Sequence, residues 1–194
     1  MEKEDVLRQI INEVSPASTT SIGAIQALTS FRELSKGEVF IKIKEQDHFE
    51  YFILKGVVRS FLLNPDGEEV TISFYQEYSV LSPHITRTVN NISNLNFQAL
   101  TDVEIGFFNA HEFLQLMIDD IGTRDFANAV LKNELIRKVE KEIGLASLTA
   151  MERLIKFRDE FPGLENYVSH QAVASYLGIT NISLSRLRGK ISRG

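Results

Sequence analysis

The chain has no cysteine, which excludes disulfides, thiolate metal sites and iron–sulfur clusters. It has no run of about eighteen apolar residues, the least that spans a bilayer as a helix. Its opening, Met1-Glu2-Lys3-Glu4-Asp5, is too acidic for a secretory signal. A cytoplasmic protein with no membrane partner is expected. The histidines, His48, His84, His111 and His170, are scattered, so no pair spaced for metal ligation exists. There is no serine–histidine–acid set, no glycine-rich phosphate loop and no internal repeat. No catalytic residue, metal or cofactor is therefore expected, and the chain does not read as an enzyme.

Acid is also absent from one end. The whole chain carries −5, yet residues 168–194 hold Arg186, Arg188, Lys190 and Arg193 with no Asp or Glu. The other 167 residues thus carry −9, and only the terminal face can approach an anionic polymer. That face contains an ordered pattern. Counting from His170, Ala174 is fifth, Gly178 ninth, Leu184 fifteenth and Leu187 eighteenth. This is helix-turn-helix spacing. A small residue sits where the second helix crosses, glycine takes the turn, and aliphatics share one core. Ser169 is the expected N-cap of the first helix and Thr180 of the second.

Residues 3–14 read as an amphipathic helix ended by Ser15-Pro16, and residues 22–28 as a further helical turn or two. From Phe31 the period shortens. Strands are expected over 31–34, 39–43, 49–54, 57–63 and 69–74, with one or two more within 96–108, and Asn64-Pro65-Asp66-Gly67 is a hairpin turn. Short strands this closely spaced imply an antiparallel roll or jelly roll. Between Tyr75 and Leu95 the alternation is lost, and a long irregular insertion is expected. Helices follow over 111–118, capped by Asn109, over 123–146 and over 149–161. The long one carries Leu131, Leu135, Ile136, Val139 and Ile143 in a narrow stripe among charges, including Glu134 and Lys138, as a dimer seam would. The chain thus divides into a β-roll with flanking helices (1–122), a long dimerisation helix (123–146) and a helix-turn-helix unit (147–194). The fold class is α+β.

Several stretches are familiar in detail: residues 51–60 (Tyr51 to Ser60), Asp66-Gly67-Glu68-Glu69, residues 99–105, Met151-Glu152-Arg153-Leu154 and residues 174–180. With these the chain resembles the Crp/Fnr family of bacterial transcription regulators, the cyclic AMP receptor-like proteins, over roughly residues 25–191. The resemblance implies a homodimer binding double-stranded DNA at a roughly palindromic site, with RNA polymerase as a further candidate partner. It also implies a winged-helix-like head, here with a truncated wing.

The phosphate cassette departs from the family pattern. Residues 79–84 lack its Gly-Glu pair, and Ile92-Ser93-Asn94-Leu95 offers no arginine where one is expected. Cyclic AMP is therefore not expected. The roll either binds another small molecule, in a pocket lined by Tyr75, Tyr78, Ser82, His84, Arg87, Thr88 and Asn94, or binds none. At the DNA end, Asn181 and Ile182 stand where the family often reads guanine and cytosine. Ser183, Ser185 and Arg186 extend the groove-facing side, with Arg186 the leading candidate for base contact. Arg188, Lys190 and Arg193 are expected on phosphates and Ser169, His170 and Gln171 beside the backbone, with Thr180, the cap of the second helix, also in the DNA-binding set. The rival reading is a cupin-like jelly-roll enzyme or metal-binding module, which would need a ligand cluster that the scattered histidines do not supply.

Overall fold

A computed structural model describes residues 2–191. Helix α1 (Lys3–Val14) buries Val6, Leu7, Ile10 and Ile11, and α2 (Thr19–Leu28) starts at Ser18, whose hydroxyl accepts the Ser21 N–H. The roll begins with β1 (Ser30–Leu34), β2 (Val39–Ile41), β3 (Phe49–Lys55), β4 (Val58–Leu63) and β5 (Glu69–Tyr75). The segment expected to be irregular contains β6 (Ser79–Val80), a single turn α3 (His84–Arg87), and the hairpin β7 (Thr88–Val89) and β8 (Ile92–Ser93). Asn90 and Asn91 join that hairpin with φ of 53° and 61°. Paired positive φ is the signature of the tight turns whose twist suits hairpins, and asparagine tolerates it. β9 (Asn96–Ala99) and β10 (Val103–Asn109) complete the roll.

All pairings are antiparallel, in two four-stranded sheets of order β1-β10-β3-β6 and β2-β9-β4-β5. Alternation along β3 sets the layers. Tyr51 and Ile53 point into the roll with Leu34, Val58, Tyr75, Phe97 and Ile105. Phe52 and Leu54 point the other way, joining Phe108 and Phe113 against the N-terminal helices. The first sheet is therefore apolar on both faces.

Asn109 caps α4 (Ala110–Asp119), its side chain accepting the His111 and Glu112 N–H groups. The long helix α5 (Ile121–Ser147) faces the roll through Phe126, Val130 and Glu134, four residues apart. On the opposite side Leu131, Leu135, Ile136, Val139 and Ile143 are all exposed, 40–63% of each in contact with solvent. α6 (Ala150–Glu160) opens with a capping box between Thr149 and Glu152. A 3-10 turn (Leu164–Asn166) leads to α7 (His170–Tyr176) and α8 (Asn181–Ile191). Arg193 lies outside the described residues.

Candidate nucleic-acid interface and the interior of the roll

The terminal unit forms as its spacing dictates. The Ser169 hydroxyl accepts the Ala172 N–H at 3.2 Å and the Thr180 hydroxyl accepts the Ser183 N–H at 3.2 Å. Gly178 has φ +67°, and a Cβ there would lie 3.1 Å from Leu145 Cδ2. Backbone conformation and space both select glycine. Ala174 and Leu184 are buried, with Leu187 packed against their core. One face of α8 looks to solvent: Asn181, Ile182, Ser185 and Arg186 are exposed at four-residue spacing. Ile182 leaves 65% of its surface in water at the helix start, and no described acid pairs with Arg186 or Lys190. His170 and Gln171 are exposed at the first helix, while Ser183 is half-buried and bonded to Thr180.

Arg188 departs from its expected place. Its Nε and Nη2 donate to Glu165 Oε1 at 2.8 and 2.6 Å, and Arg158 Nε donates to the other oxygen at 2.5 Å. Burial pushes the Glu165 carboxyl up, but the two guanidinium groups outweigh it and hold the acid below its usual range. Arg188 thus ties α8 to the turn before α7, a pairing hidden in the sequence because Glu165 lies outside the acid-free tail.

The head is seated on the roll. Phe74 of β5 is buried among Phe157, Phe161 and Tyr176, with ring centroids 5.2–5.9 Å away. The Thr71 N–H donates to Ser175 Oγ at 3.1 Å. Lys141 of α5 closes the junction. Its Nζ donates to Ile72 O at 2.5 Å and stands 3.9 Å from the Tyr176 ring centroid. Burial pulls its pKa down to about 7, helped by the neighbouring Lys138. One strand is thus shared by the roll, the long helix and the head.

Inside the roll, the expected pocket residues separate onto two faces. Arg87, 1% exposed, has Nη1 3.1 Å from Asp47 Oδ2, donates through Nη2 to Phe49 O, and lies over the Tyr51 ring at 5.2 Å. The Tyr51 hydroxyl and the Phe49 N–H each donate to Asp47 Oδ1 at 3.2 Å. Tyr75 and Ser82 form a buried hydroxyl pair at 2.8 Å. His84 and Thr88 lie on the helical side of the sheet, with His84 Nε2 2.8 Å from Asp47 O, which places the ring proton on that nitrogen. Tyr78 and Asn94 are exposed and reach neither face's interior. The seven do not line one pocket because they sit on different elements: Tyr75 ends β5, His84 and Arg87 are the two ends of the single turn α3, Thr88 starts β7, and Tyr78, Ser82 and Asn94 lie between elements. Asp47 and Glu50 carry no local signal in the sequence, whereas Glu134 pairs with Lys138 at 3.4 Å, as the spacing on the long helix implies.

Comparison with known proteins agrees with this architecture. Residues 31–120 match the cyclic nucleotide-binding domain family. The global nitrogen regulator of Synechococcus elongatus is 25% identical, with 84% of this chain and 85% of that one covered. FixK2 of Bradyrhizobium japonicum superposes with a TM-score of 0.74 at 20% identity, covering 85% of each chain. A putative transcriptional regulator of the Crp/Fnr family from Eubacterium rectale gives 0.69 at 15% identity, covering 88% of this chain and 81% of that one. The chain is therefore similar over residues 31–120 to the cyclic nucleotide-binding domain family, is homologous to the global nitrogen regulators, and has the fold of the Crp/Fnr transcription regulators.

Proposed function

We propose that the chain is a cytoplasmic transcription regulator, not an enzyme, that binds a roughly palindromic duplex as a homodimer. The observation that carries this reading is the exposed row of Asn181, Ile182, Ser185 and Arg186 on a short capped helix, on a body otherwise acidic. A helix of this size fits the major groove. Arg186 there meets guanine edges, Asn181 adenine, and Ile182 a thymine methyl. Lys190 supplies a phosphate contact, while Ser169, His170, Gln171 and Thr180 lie at the helix starts, beside the backbone. The apolar stripe of α5, turned away from its own roll, is the dimer seam, and twofold pairing would present two heads to successive grooves about 34 Å apart.

Arg87 is already matched by Asp47, so the roll interior has no uncompensated cation to attract a cyclic phosphate, which supports an effector other than cyclic AMP. Among the described residues no group of three His, Asp or Glu side chains is placed to hold a metal ion, and no helix is long and apolar enough to cross a membrane. The cupin reading gains no support. RNA polymerase is the further partner we assign, and transcription in vitro from a promoter carrying the selected site reads that contact.

The test is selection of bound sequences from random duplexes, followed by anisotropy titration. Arg186→Ala should weaken the selected site by about 1–3 kcal/mol and relax preference at one position. Arg188→Ala should leave sequence preference unchanged and lower stability. Equal effects of the two, or none from Arg186→Ala, would overturn the assignment.

A further inference from the structure

A cavity of about 440 Å³ lies on the helical side of the first sheet, between β3, the β7–β8 hairpin, α4 and the start of α5. Its volume is within the range of small-molecule sites, about 300–1,000 Å³. The walls are apolar: Phe52, Phe108, Phe113, Met117 and Phe126 form the body. Ile85 and Leu114 stand at the mouth, 75% and 50% exposed. One end differs. Glu50 is the sole formally charged side chain of the lining, and both its carboxylate oxygens accept the His84 N–H, at 3.0 and 2.9 Å.

We infer that this cavity is a binding site for a cationic amphiphile, an aliphatic or aromatic body carrying a protonated amine that seats against Glu50. Shape and charge both select this class. The walls reward an apolar body, at about 25 cal/mol per Å² removed from water. The one acid of the lining rewards a hydrogen-bonding cation and rejects a carboxylate. Arg87 does not supply that cation, because it lies behind β3 on the other face and is committed to Asp47. Burial pushes the Glu50 carboxyl up to about 7, against the pull of Arg87 and of the His84 N–H, so its charge is under-compensated where it stands. The site is separate from the helix-turn-helix and goes beyond the DNA-binding reading.

The experiment is isothermal titration of the intact protein at pH 8 with three probes that share one tail: octylamine, 1-octanol and octanoate. Saturable one-to-one binding of octylamine is expected, about tenfold or more tighter than octanol, with octanoate weakest. In Glu50→Gln the amine and the alcohol should bind alike, because the tail still fits and the charge is gone. Ala127→Trp or Met117→Trp, each filling the cavity, should abolish binding of all three probes while thermal melting shows a folded protein. Absence of saturable octylamine binding overturns the proposal, including the case in which a second copy of the chain covers the mouth. So does preference for octanoate, or octylamine binding unaltered in both tryptophan variants that remain folded. DNA affinity enters none of these readouts, so the two assignments fail independently.

Discussion

Replacing Arg87 with methionine tests how the roll interior is held. Arg87 and Asp47 are 1% and 4% exposed at the side chain and 3.1 Å apart, enclosed by Tyr51 and Phe97. Removing one partner of a buried pair leaves an uncompensated charge and costs about 3–5 kcal/mol. Asp47 keeps its bonds from the Tyr51 hydroxyl and the Phe49 N–H, which places the cost at the lower end. The lost contact between guanidinium and ring adds about 1 kcal/mol. A total of about 3–4 kcal/mol is a large share of a typical stability of about 5–15 kcal/mol, and corresponds to a fall in Tm of about 6–15 °C for a chain of this length. Urea unfolding of Arg87→Met, Asp47→Asn and the double variant measures it. The double variant should be more stable than Arg87→Met alone, because no buried charge remains. A single-variant loss below about 1 kcal/mol, or losses that simply add, would refute a coupled buried pair.

Other outcomes follow from the same geometry. Leu135→Asp with Val139→Asp should convert a dimer into a folded monomer by sedimentation and lower affinity for a two-half-site duplex at least about a hundredfold, since two linked contacts become one. Gly178→Ala should cost about 1–2 kcal/mol from its left-handed backbone, plus the crowding against Leu145, read by thermal melting. Glu50 has a folded pKa raised to about 7 from 4.5. The native state therefore binds more protons than the unfolded one between those values, and stability should fall as pH rises from about 4.5 through 7. Glu50→Gln should flatten that slope, with Asp47, Arg87 and His84, the charged or titratable groups facing it, left in place.

Much of this arrangement is written locally. Ser169, Thr180 and Asn109 announce helix starts because a cap needs only a hydroxyl or amide three residues before a backbone N–H. Gly178 announces a turn because only glycine takes that backbone cheaply. The exposed stripe of α5 is a period along one helix. What the sequence hides is pairing at a distance. Asp47 and Arg87 are forty positions apart in the chain, and nothing local marks them as partners. Arg188 looks like one more cation of an acid-free tail until folding brings Glu165 to it. The stretch from Tyr75 to Leu95 reads as irregular because its strands are two residues long and too short for alternation to show. Yet Asn90-Asn91 was a hairpin signal in plain view. The expected effector residues do not converge for a geometric reason: they are spread over a strand end, a single helical turn and the loops between, so closeness in sequence does not make one pocket.

In the proposed complex two copies of the α8 face, joined through α5, read one duplex. Hydroxyl-radical footprinting on the selected duplex addresses it directly. Two protected tracts about one helical turn apart, symmetric about the centre of the site, are expected. Protection should disappear when Asn181 and Arg186 are replaced together by alanine. A single tract, or protection that survives that replacement, would contradict it.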